Sequence, residues 1–271
     1  MLERLYVHNF RCLENFEFVP GNRPSALLIG KNGTGKSTLA RALALFQGIG
    51  RGVNRVGALV TASDFAQGRV EAPMRFELNL RLDGRAYEYT LALELPQRFK
   101  ELRVLEEAFS VDGSAIYSRT HAQVTVHRQP QAQFPIDWHL VALTVIQDPA
   151  AARALGRFRQ WLASMVLLAP IPRLMSGEAG SEILEPAQDA SNLADWLAGL
   201  LDQYPAAYAT MRQQLQHVMP DLADFRFERT GRETSHAGSI QGCNCSARTG
   251  FRCAVRRREM LLSLRGRPGS Q

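Results

Sequence analysis

Residues 30–38 read GKNGTGKST and contain the complete pattern GxxxxGK[ST] from Gly30 to Ser37. The apolar run ALLI at 26–29 precedes the pattern and is typical of a buried strand, and LARALALF at 39–46 follows it and is typical of a helix. A strand, a glycine-rich loop and a helix in this order are the context that phosphate binding requires. We therefore predict a phosphate-binding loop at residues 30–37, the phosphate loop, against the alternative of a glycine-rich turn that binds nothing.

The residue types of the phosphate loop suit ATP and Mg²⁺. Its glycines let successive backbone N–H groups point inward, and the helix N-terminus adds its dipole. Lys36, the candidate catalytic residue, would bring a mobile ammonium to the outer phosphates, and the Ser37 hydroxyl would fill one position of the Mg²⁺ shell. The predicted nucleotide-binding residues of the loop are Gly30, Lys31, Asn32, Gly33, Thr34, Gly35, Lys36, Ser37 and Thr38.

Composition sets outer limits on the kind of protein. With 271 residues and 45% hydrophobic content, the chain has room for one large domain or two small ones. No stretch approaches the roughly 18–20 apolar residues of a membrane span, and the first residues lack signal-peptide features, so a cytoplasmic location is expected. The four cysteines, Cys12, Cys243, Cys245 and Cys253, show neither metal-ligand nor disulfide-scaffold spacing, and we interpret them as reduced thiols.

The net charge of +6 belongs to one segment. Residues 235–271 contain seven arginines, one glutamate and no lysine, so this segment accounts for all of the net charge. The rest of the chain therefore offers no bulk electrostatic argument for nucleic acid. Binding of nucleic acid through the arginine-rich segment remains a separate hypothesis, with a steep salt dependence as its signature.

Hydrophobic periodicity gives a coarse map of the remaining elements. Residues 2–19 alternate as strands around Asn9-Phe10-Arg11, and two hairpins are expected around Asp83-Gly84 and Asp112-Gly113, with a further strand at 122–128. Helical spacing follows at residues 150–165, 192–203 and 205–218, and a new strand begins at Phe225. No strand or helix period is sustained from Ser235 until an apolar patch at Met260.

Three stretches carry a family resemblance: LERLYVHNFRCLENFEF at 2–18, GKNGTGKSTLARALALF at 30–46, and the block from Phe225. They resemble the ATPase heads of the ABC/SMC/RecF type, in particular bacterial AAA family ATPases similar to the overcoming-lysogenization-defect proteins. The resemblance implies Mg²⁺-dependent ATP hydrolysis coupled to dimerisation of two heads, and a possible partner nuclease or effector. It implies no membrane partner.

The resemblance also assigns the fold class and the domains. The expected fold is α/β: the N-terminal lobe of an ABC-like P-loop ATPase with an antiparallel β-subdomain and a helical insert, the C-terminal lobe missing. The lobe is expected at residues 1–147, the helical insert at 148–224, the start of the second lobe at 225–234, and a basic, disordered or out-of-frame tail at 235–271.

The chain departs from the family pattern after Phe225. Such heads carry a signature motif similar to LSDGEK and then an apolar strand ending in Asp-Glu, and neither occurs here in frame. Codons for residues 254–271, shifted by one nucleotide, permit a signature motif, so we hypothesise a frameshift near Thr234 or Ser235, against a genuine divergent tail. The chain as written is then expected to bind ATP at most. The alternative is a non-hydrolysing, nucleotide-dependent binding module for a partner ATPase or nuclease.

Several other residues are weaker site candidates. By the resemblance Arg11 lies near adenine and ribose, against the plainer interpretation of a solvated arginine. Asp64 or Gln67 falls in the segment that senses the γ-phosphate in such heads, although an ordinary loop residue is the simpler interpretation, and Gln147-Asp148 is a weaker candidate. His121, His127 and His139 show no metal spacing, and Trp138, Trp161 and Trp196 are interpreted as core or helix-face residues rather than a base-stacking platform.

Overall fold

The computed structural model describes residues 1–21, 26–147, 149, 151–219, 224–230 and 235–241, the last two ranges by their backbone alone. The chain divides into two compact units, and the boundary lies between Leu167 and Leu168. No helix of the described ranges is both long and apolar enough to cross a membrane.

The first unit is a sheet with helices. Its strands are β1 (Leu2–His8), β2 (Phe16–Phe18), β3 (Met74–Leu82), β4 (Arg85–Glu94), β5 (Arg103–Val111), β6 (Ser114–Thr120), β7 (Gln123–Val126) and β8 (Ala132–Pro135). Its helices are α1 (Lys36–Gly50), α2 (Val56–Leu59), α3 (Ala142–Val145) and α4 (Ala152–Ala163), with 3₁₀ turns at Ala62–Asp64 and Ala66–Gly68. The eight strands are all antiparallel, in the order β2-β1-β3-β4-β5-β6-β7-β8.

Both predicted hairpins are confirmed. Asp83 and Gly84 join β3 to β4, and Asp112 and Gly113 join β5 to β6, each pair with positive φ at both residues. Two consecutive left-handed residues give the turn whose twist matches that of the flanking strands, and Asp-Gly is a preferred sequence for it. The register of the sheet core is therefore set by local sequence.

Alternation along the strands separates a buried face from an exposed one. In β3 every second residue, from Met74 to Leu82, is buried. The helices α1 and α4 cover this face through aromatic contacts: Phe46 of α1 lies 6.3 Å from Phe76, and Phe158 of α4 lies 5.0 Å from Phe109, between ring centroids. The core of the first unit is thus a sheet and two helices.

The opposite face carries alternating charges in pairs. A chain of ion pairs crosses the sheet, with Arg4 to Glu77 at 2.6 Å, Arg75 to Glu77 at 2.6 Å and Arg75 to Glu106 at 3.1 Å. Burial opposes ionisation of Glu77, but hydrogen bonds from Arg4 and Arg75 outweigh it and lower the pKa of Glu77. The two arginines and two glutamates of this chain of ion pairs balance each other in charge.

The buried face of the sheet contains an ion pair that the sequence analysis did not predict. Glu107 of β5 and Arg119 of β6 have fully buried side chains, with Arg119 Nη1 3.5 Å from Glu107 Oε2. The hydroxyls of Tyr89 and Tyr117 donate to Glu107 Oε1 over 3.0 and 2.8 Å. Burial, then the neighbouring carboxylate, raises the pKa of both tyrosines, so both stay neutral donors.

The same carboxylate fixes the chain that follows β8. The backbone N–H groups of Ala142 and Leu143 donate to Glu107 over 2.7 and 2.8 Å, at the start of α3. Arg119 donates to the backbone oxygen of Asp137 over 3.0 Å and is also bonded to the backbone oxygen of Leu140. One glutamate therefore joins three strands to the segment that covers their ends, and desolvation lowers the pKa of its arginine partner.

The second unit contains two helices and a small sheet. Its elements are β9 (Glu178–Ala179), α5 (Leu193–Gln203), α6 (Pro205–Val218), β10 (Asp224–Thr230) and β11 (Ser235–Gln241), with a 3₁₀ turn at Pro172–Leu174. The strand order is β10-β11-β9, antiparallel throughout. Both helices and the strand from Phe225 were predicted, and they are confirmed.

Three expectations about the elements of the fold differ from the structure. The run at 26–29 is not a buried strand: it pairs with no strand of the described chain, and Leu27 and Ile29 are 60% and 87% exposed. A strand forms only beside a neighbour that takes up its backbone hydrogen bonds, and none of the eight strands lies there.

The first residues of the predicted tail form a strand in the structure. Ser235–Gln241 forms β11 and pairs along its whole length with β10. This strand is stabilised by backbone hydrogen bonds to β10, which do not require alternating polar and apolar side chains. The hydrophobic pattern of the sequence therefore did not predict it. Residues 242–271, with Cys243, Cys245 and Cys253, lie outside the described ranges, so the frameshift hypothesis stays a prediction.

Helix α4 was assigned to the helical insert, but it belongs to the first unit. Its Phe158 is buried among Tyr87, Tyr89 and Phe109. The Phe158 ring has no polar atoms, and its packing against three rings of the sheet holds α4 on the first unit. The first unit therefore extends twenty residues past the predicted boundary at residue 147, and the functional division into lobe and insert stays a prediction.

Gly50 provides the first testable consequence of the packing of α1 on α4. A Cβ at Gly50 would lie 2.5 Å from the backbone nitrogen of Ala163 and 2.5 Å from Leu162 Cβ. Gly50→Ala is therefore expected to lower the free energy of unfolding by about 1–3 kcal/mol, in urea denaturation, because backbone atoms must move.

Gly156 is the matched control, since it is also a helical glycine and a Cβ there meets nothing within 4 Å. Gly156→Ala is expected to be neutral or stabilising by about 0.5–1 kcal/mol, because alanine loses less backbone entropy on folding. Equal effects of the two substitutions would contradict the close helix contact.

Candidate functional site

The phosphate loop is a left-handed turn at the N-terminus of α1. Gly33 and Gly35 have φ of +88° and +93°, a region that favours glycine, and Gly35 is the N-cap residue of the helix. A Cβ at Gly35 would lie 2.9 Å from Leu13 Cδ2 and 3.2 Å from Cys12 Sγ. Glycine is thus required at this position for its backbone and for its lack of a side chain.

The first turn of α1 is free to bind an anion. The N-cap makes no side-chain hydrogen bond to the helix, and the first turn contains no acidic residue. The leading N–H groups of a helix lack partners within it and carry the positive end of its dipole. Such a terminus, next to a loop of glycines, is chemically suited to a phosphate group.

Lys36 is folded back into the loop. Its Nζ donates to the carbonyl oxygens of Gly30 and Lys31 over 2.7 and 2.8 Å, and Thr34 Oγ1 donates to the same Lys31 oxygen over 2.9 Å. The Lys36 ammonium is therefore held by neutral carbonyl oxygens at the uncapped N-terminus of α1. A phosphate oxygen is a stronger partner for an ammonium than a carbonyl oxygen, because both groups are charged.

The other loop residues differ in how their side chains are placed. Ser37 is exposed, and its hydroxyl has no hydrogen-bond partner among the described residues, so it is open to a metal ion. Thr38 is buried, and its Oγ1 lies 3.3 Å from Cys12 Sγ, so its side chain faces the protein. A contact from Thr38 to a nucleotide would come from its backbone. Asn32 is exposed at the tip of the loop.

The segment 9–13 connects the phosphate loop to the 3₁₀ turn at Ala62–Asp64. Cys12 and Leu13 pack against Gly35, as described above, while Arg11 Nη2 lies 2.6 Å from Asp64 Oδ1. Arg11 has a φ of +55°, and its N–H donates to the backbone oxygen of Asp64 over 2.6 Å. Sequence reasoning selected Arg11 and Asp64 separately and missed their pairing, as well as the role of Cys12 and Leu13.

The Asp64 carboxylate is committed to its neighbours. Its Oδ2 accepts hydrogen bonds from the N–H and the hydroxyl of Thr61, over 2.9 and 3.0 Å, and its side chain is only 9% exposed. It therefore orients Arg11 and caps a turn. Gln67 is exposed with a φ of +53°, Gln147 is exposed, and Asp148 lies outside the described residues.

The three histidines considered as metal ligands have separate partners. His121 lies 3.4 Å from Glu94, His127 is hydrogen-bonded to Ser118, and His139 to Asp137, each separately. No cluster of three or more histidine, cysteine, aspartate or glutamate residues arranged to hold a metal occurs in the described part of the chain.

Together the uncapped helix, the left-handed glycines and the inward lysine define a P-loop nucleotide-binding domain of the α/β class. The protein family described as "AAA domain, putative AbiEii toxin, Type IV TA system" matches residues 25–226, most of the chain. The chain belongs to this family and is an AAA-family, P-loop ATPase-like domain. Membership implies nucleotide binding.

One curated relative is similar over a short segment. An "OLD nuclease" of Thermus scotoductus is 48% identical over 48 residues, which are 18% of this chain and 9% of that protein. The aligned segment thus spans about a tenth of the relative's length. The predicted resemblance to overcoming-lysogenization-defect proteins and to P-loop ATPases is confirmed at the level of the family.

Proposed function

We propose that this chain binds ATP with Mg²⁺ through residues 30–38. The observation that carries the proposal is the uncapped N-terminus of α1, preceded by left-handed Gly33 and Gly35, with the Lys36 ammonium folded into the loop. Backbone N–H groups would hold the phosphates, and Lys36 would move from two carbonyl oxygens to the outer phosphates.

Ser37 would hold the Mg²⁺ ion together with phosphate oxygens and water. Its exposed, unpartnered hydroxyl fits this role, and Mg²⁺ in nucleotide sites commonly keeps few protein ligands. The ion supplies charge neutralisation between the phosphates. Arg11 is 38% exposed beside the loop residues Cys12 and Leu13, so its guanidinium has room to meet the nucleotide while Asp64 fixes its direction.

The proposal extends to an SMC/RecF-like head in the cytoplasm that acts as a homodimer, with a nuclease or effector as a possible partner. Support comes from the family match and from the name of the Thermus relative. Hydrolysis by this chain alone is expected to be very slow or absent. Phosphoryl transfer requires groups that orient the water and neutralise charge, and the sequence contains no in-frame signature motif and no Asp-Glu pair.

Two assays of the purified 271-residue protein test this proposal. Titration with a fluorescent ATP analogue is expected to show saturable binding that strengthens when Mg²⁺ is added, while phosphate release stays at the background rate. Lack of saturable binding would refute the nucleotide site. Sustained turnover that follows the protein through purification would refute the claim about hydrolysis and leave the binding claim intact.

A non-hydrolysing binding module is the second candidate. The exposed Leu27 and Ile29, directly before the phosphate loop, favour it, because exposed apolar side chains next to a site often mark a partner surface. A module of this kind is expected to be soluble only with its partner. A monodisperse protein in isolation, by size-exclusion chromatography with light scattering, would argue against it.

A further inference from the structure

Two aromatic rings and an arginine form an exposed cluster that shares no residue with the phosphate loop. Phe99, in the loop between β4 and β5, is 48% exposed, and Trp138, after β8, is 39% exposed. Their centroids lie 6.4 Å apart at an interplanar angle of 80°. The guanidinium carbon of Arg103 lies 5.6 Å from the Phe99 centroid and 4.9 Å from the Trp138 centroid. We call Phe99, Arg103 and Trp138 the aromatic platform.

The aromatic platform is held in place by its neighbours. Arg103 Nε is bonded to Glu94 Oε1 over 2.7 Å, and the Arg103 side chain is only 17% exposed. The backbone N–H of Val104 donates to the backbone oxygen of Trp138 over 2.7 Å, and that of Phe99 to Pro96 over 3.0 Å. The prediction that Trp138 is a core or helix-face residue is therefore wrong, since the ring stands at the surface on a fixed backbone.

The charges around the platform are not balanced. Two of the nearby acids are paired with arginines, Glu94 with Arg103 and Glu101 with Arg55 at 2.7 Å, and Asp137 lies 3.1 Å from His139, whose ring carries a charge only when protonated. Arg98 and Lys100 flank Phe99, are exposed, and have no ion-pair partner among the described residues. Two cations without an ion-pair partner therefore flank the exposed Phe99 in the chain.

We propose that the aromatic platform binds single-stranded nucleic acid. Bases would stack on Phe99 and Trp138, and the phosphates between them would contact Arg98 and Lys100. Unpaired bases stack on protein aromatic rings because every base has an exposed π-face, and cations beside the rings follow the backbone. Tryptophan, phenylalanine and arginine are also enriched in protein interfaces, but lysine is depleted there, so the exposed Lys100 next to Phe99 favours a nucleic acid over a protein partner.

The stacking part of the proposal is tested with an oligothymidylate of about 20 nucleotides, longer than one single-strand module covers. Fluorescence anisotropy of the labelled strand gives the dissociation constant. Phe99→Ala and Trp138→Ala are each expected to weaken binding about 5- to 150-fold, the range for loss of one base stack. Tyr6→Ala is the matched control, since Tyr6 also lies under an arginine, at 5.3 Å, but Arg4 there is paired with two acids.

The charge part is tested with Arg98→Glu combined with Lys100→Glu. The slope of log affinity against log salt is expected to become shallower by about 1.4, because two phosphate contacts on a single strand are lost. Arg153→Glu, at an exposed position of α4, is the control and leaves the slope unchanged. Thermal unfolding of each variant verifies that the fold is kept.

Three outcomes would overturn the proposal: no binding of the strand at about 50 mM salt, binding unchanged by both aromatic substitutions, or binding lost on removal of residues 235–271 alone. If binding is lost on removal of residues 235–271, the arginine-rich segment is the nucleic-acid site. If the aromatic platform binds a peptide and not the strand, its partner is a protein. The anisotropy assay contains no ATP, so its result does not depend on the proposed nucleotide site.

Discussion

Replacing Lys36 with alanine is expected to weaken ATP binding by about 100-fold or more. The substitution removes an ammonium at the uncapped start of α1 and leaves the outer phosphates without their charged side-chain donor. Hydrogen bonds to charged groups contribute roughly 1.5–3 kcal/mol each, and a lysine in this position makes more than one. Isothermal titration calorimetry with ATP and Mg²⁺ measures the change directly.

Arg41→Ala is the control for the loss of a positive charge. Arg41 is exposed on the same helix, past its first turn, so screening by water leaves only a small effect on the affinity for ATP. Similar losses for the two substitutions would indicate a diffuse electrostatic effect. In that case the loop geometry would not be the basis of binding.

Replacing Glu107 with alanine is expected to lower the free energy of unfolding by about 3–5 kcal/mol. The substitution leaves the buried Arg119 guanidinium without its carboxylate, and removal of one partner of a buried ion pair is strongly destabilising. The hydroxyls of Tyr89 and Tyr117 and two backbone N–H groups at the start of α3 lose their acceptor as well. Chemical denaturation followed by circular dichroism measures the effect.

Glu106→Ala provides a neighbouring comparison. Glu106 is the preceding residue of β5 but points to the exposed face, where its side chain is 52% exposed and pairs with Arg75. An exposed ion pair contributes only about 0–1 kcal/mol. If both glutamates proved equally dispensable, the assignment of Glu107 as the central acceptor of the first unit would be wrong.

The elements that sequence reasoning found have local causes. Two Asp-Gly turns, strict alternation in β3 and β4, and the helix after the phosphate loop all follow from neighbours within a few residues. The strand β8 and the short β9 carry no such pattern, because they are held by backbone pairing to strands formed elsewhere. Strand formation at the ends of sheets depends on the partner more than on propensity.

The sequence predicted only those residues of the candidate site that are neighbours in the chain. The phosphate loop is contiguous in sequence, so its glycines, lysine and serine could be identified together. Other contacts of the site join segments that are far apart in the chain. Cys12 and Leu13 pack against Gly35, and Arg11 pairs with Asp64. No residue type or spacing in the sequence marks these contacts.

Sequence by itself determined the phosphate loop, the helix behind it and the antiparallel hairpins, because turn geometry and hydrophobic period are properties of adjacent residues. Tertiary structure alone decided which charges are buried and which apolar residues are exposed. Glu106 and Glu107 are chemically the same in the sequence, yet one faces water and the other is fully buried. Leu27 and Ile29 show the converse, since an apolar run becomes a buried strand only where another strand lies beside it.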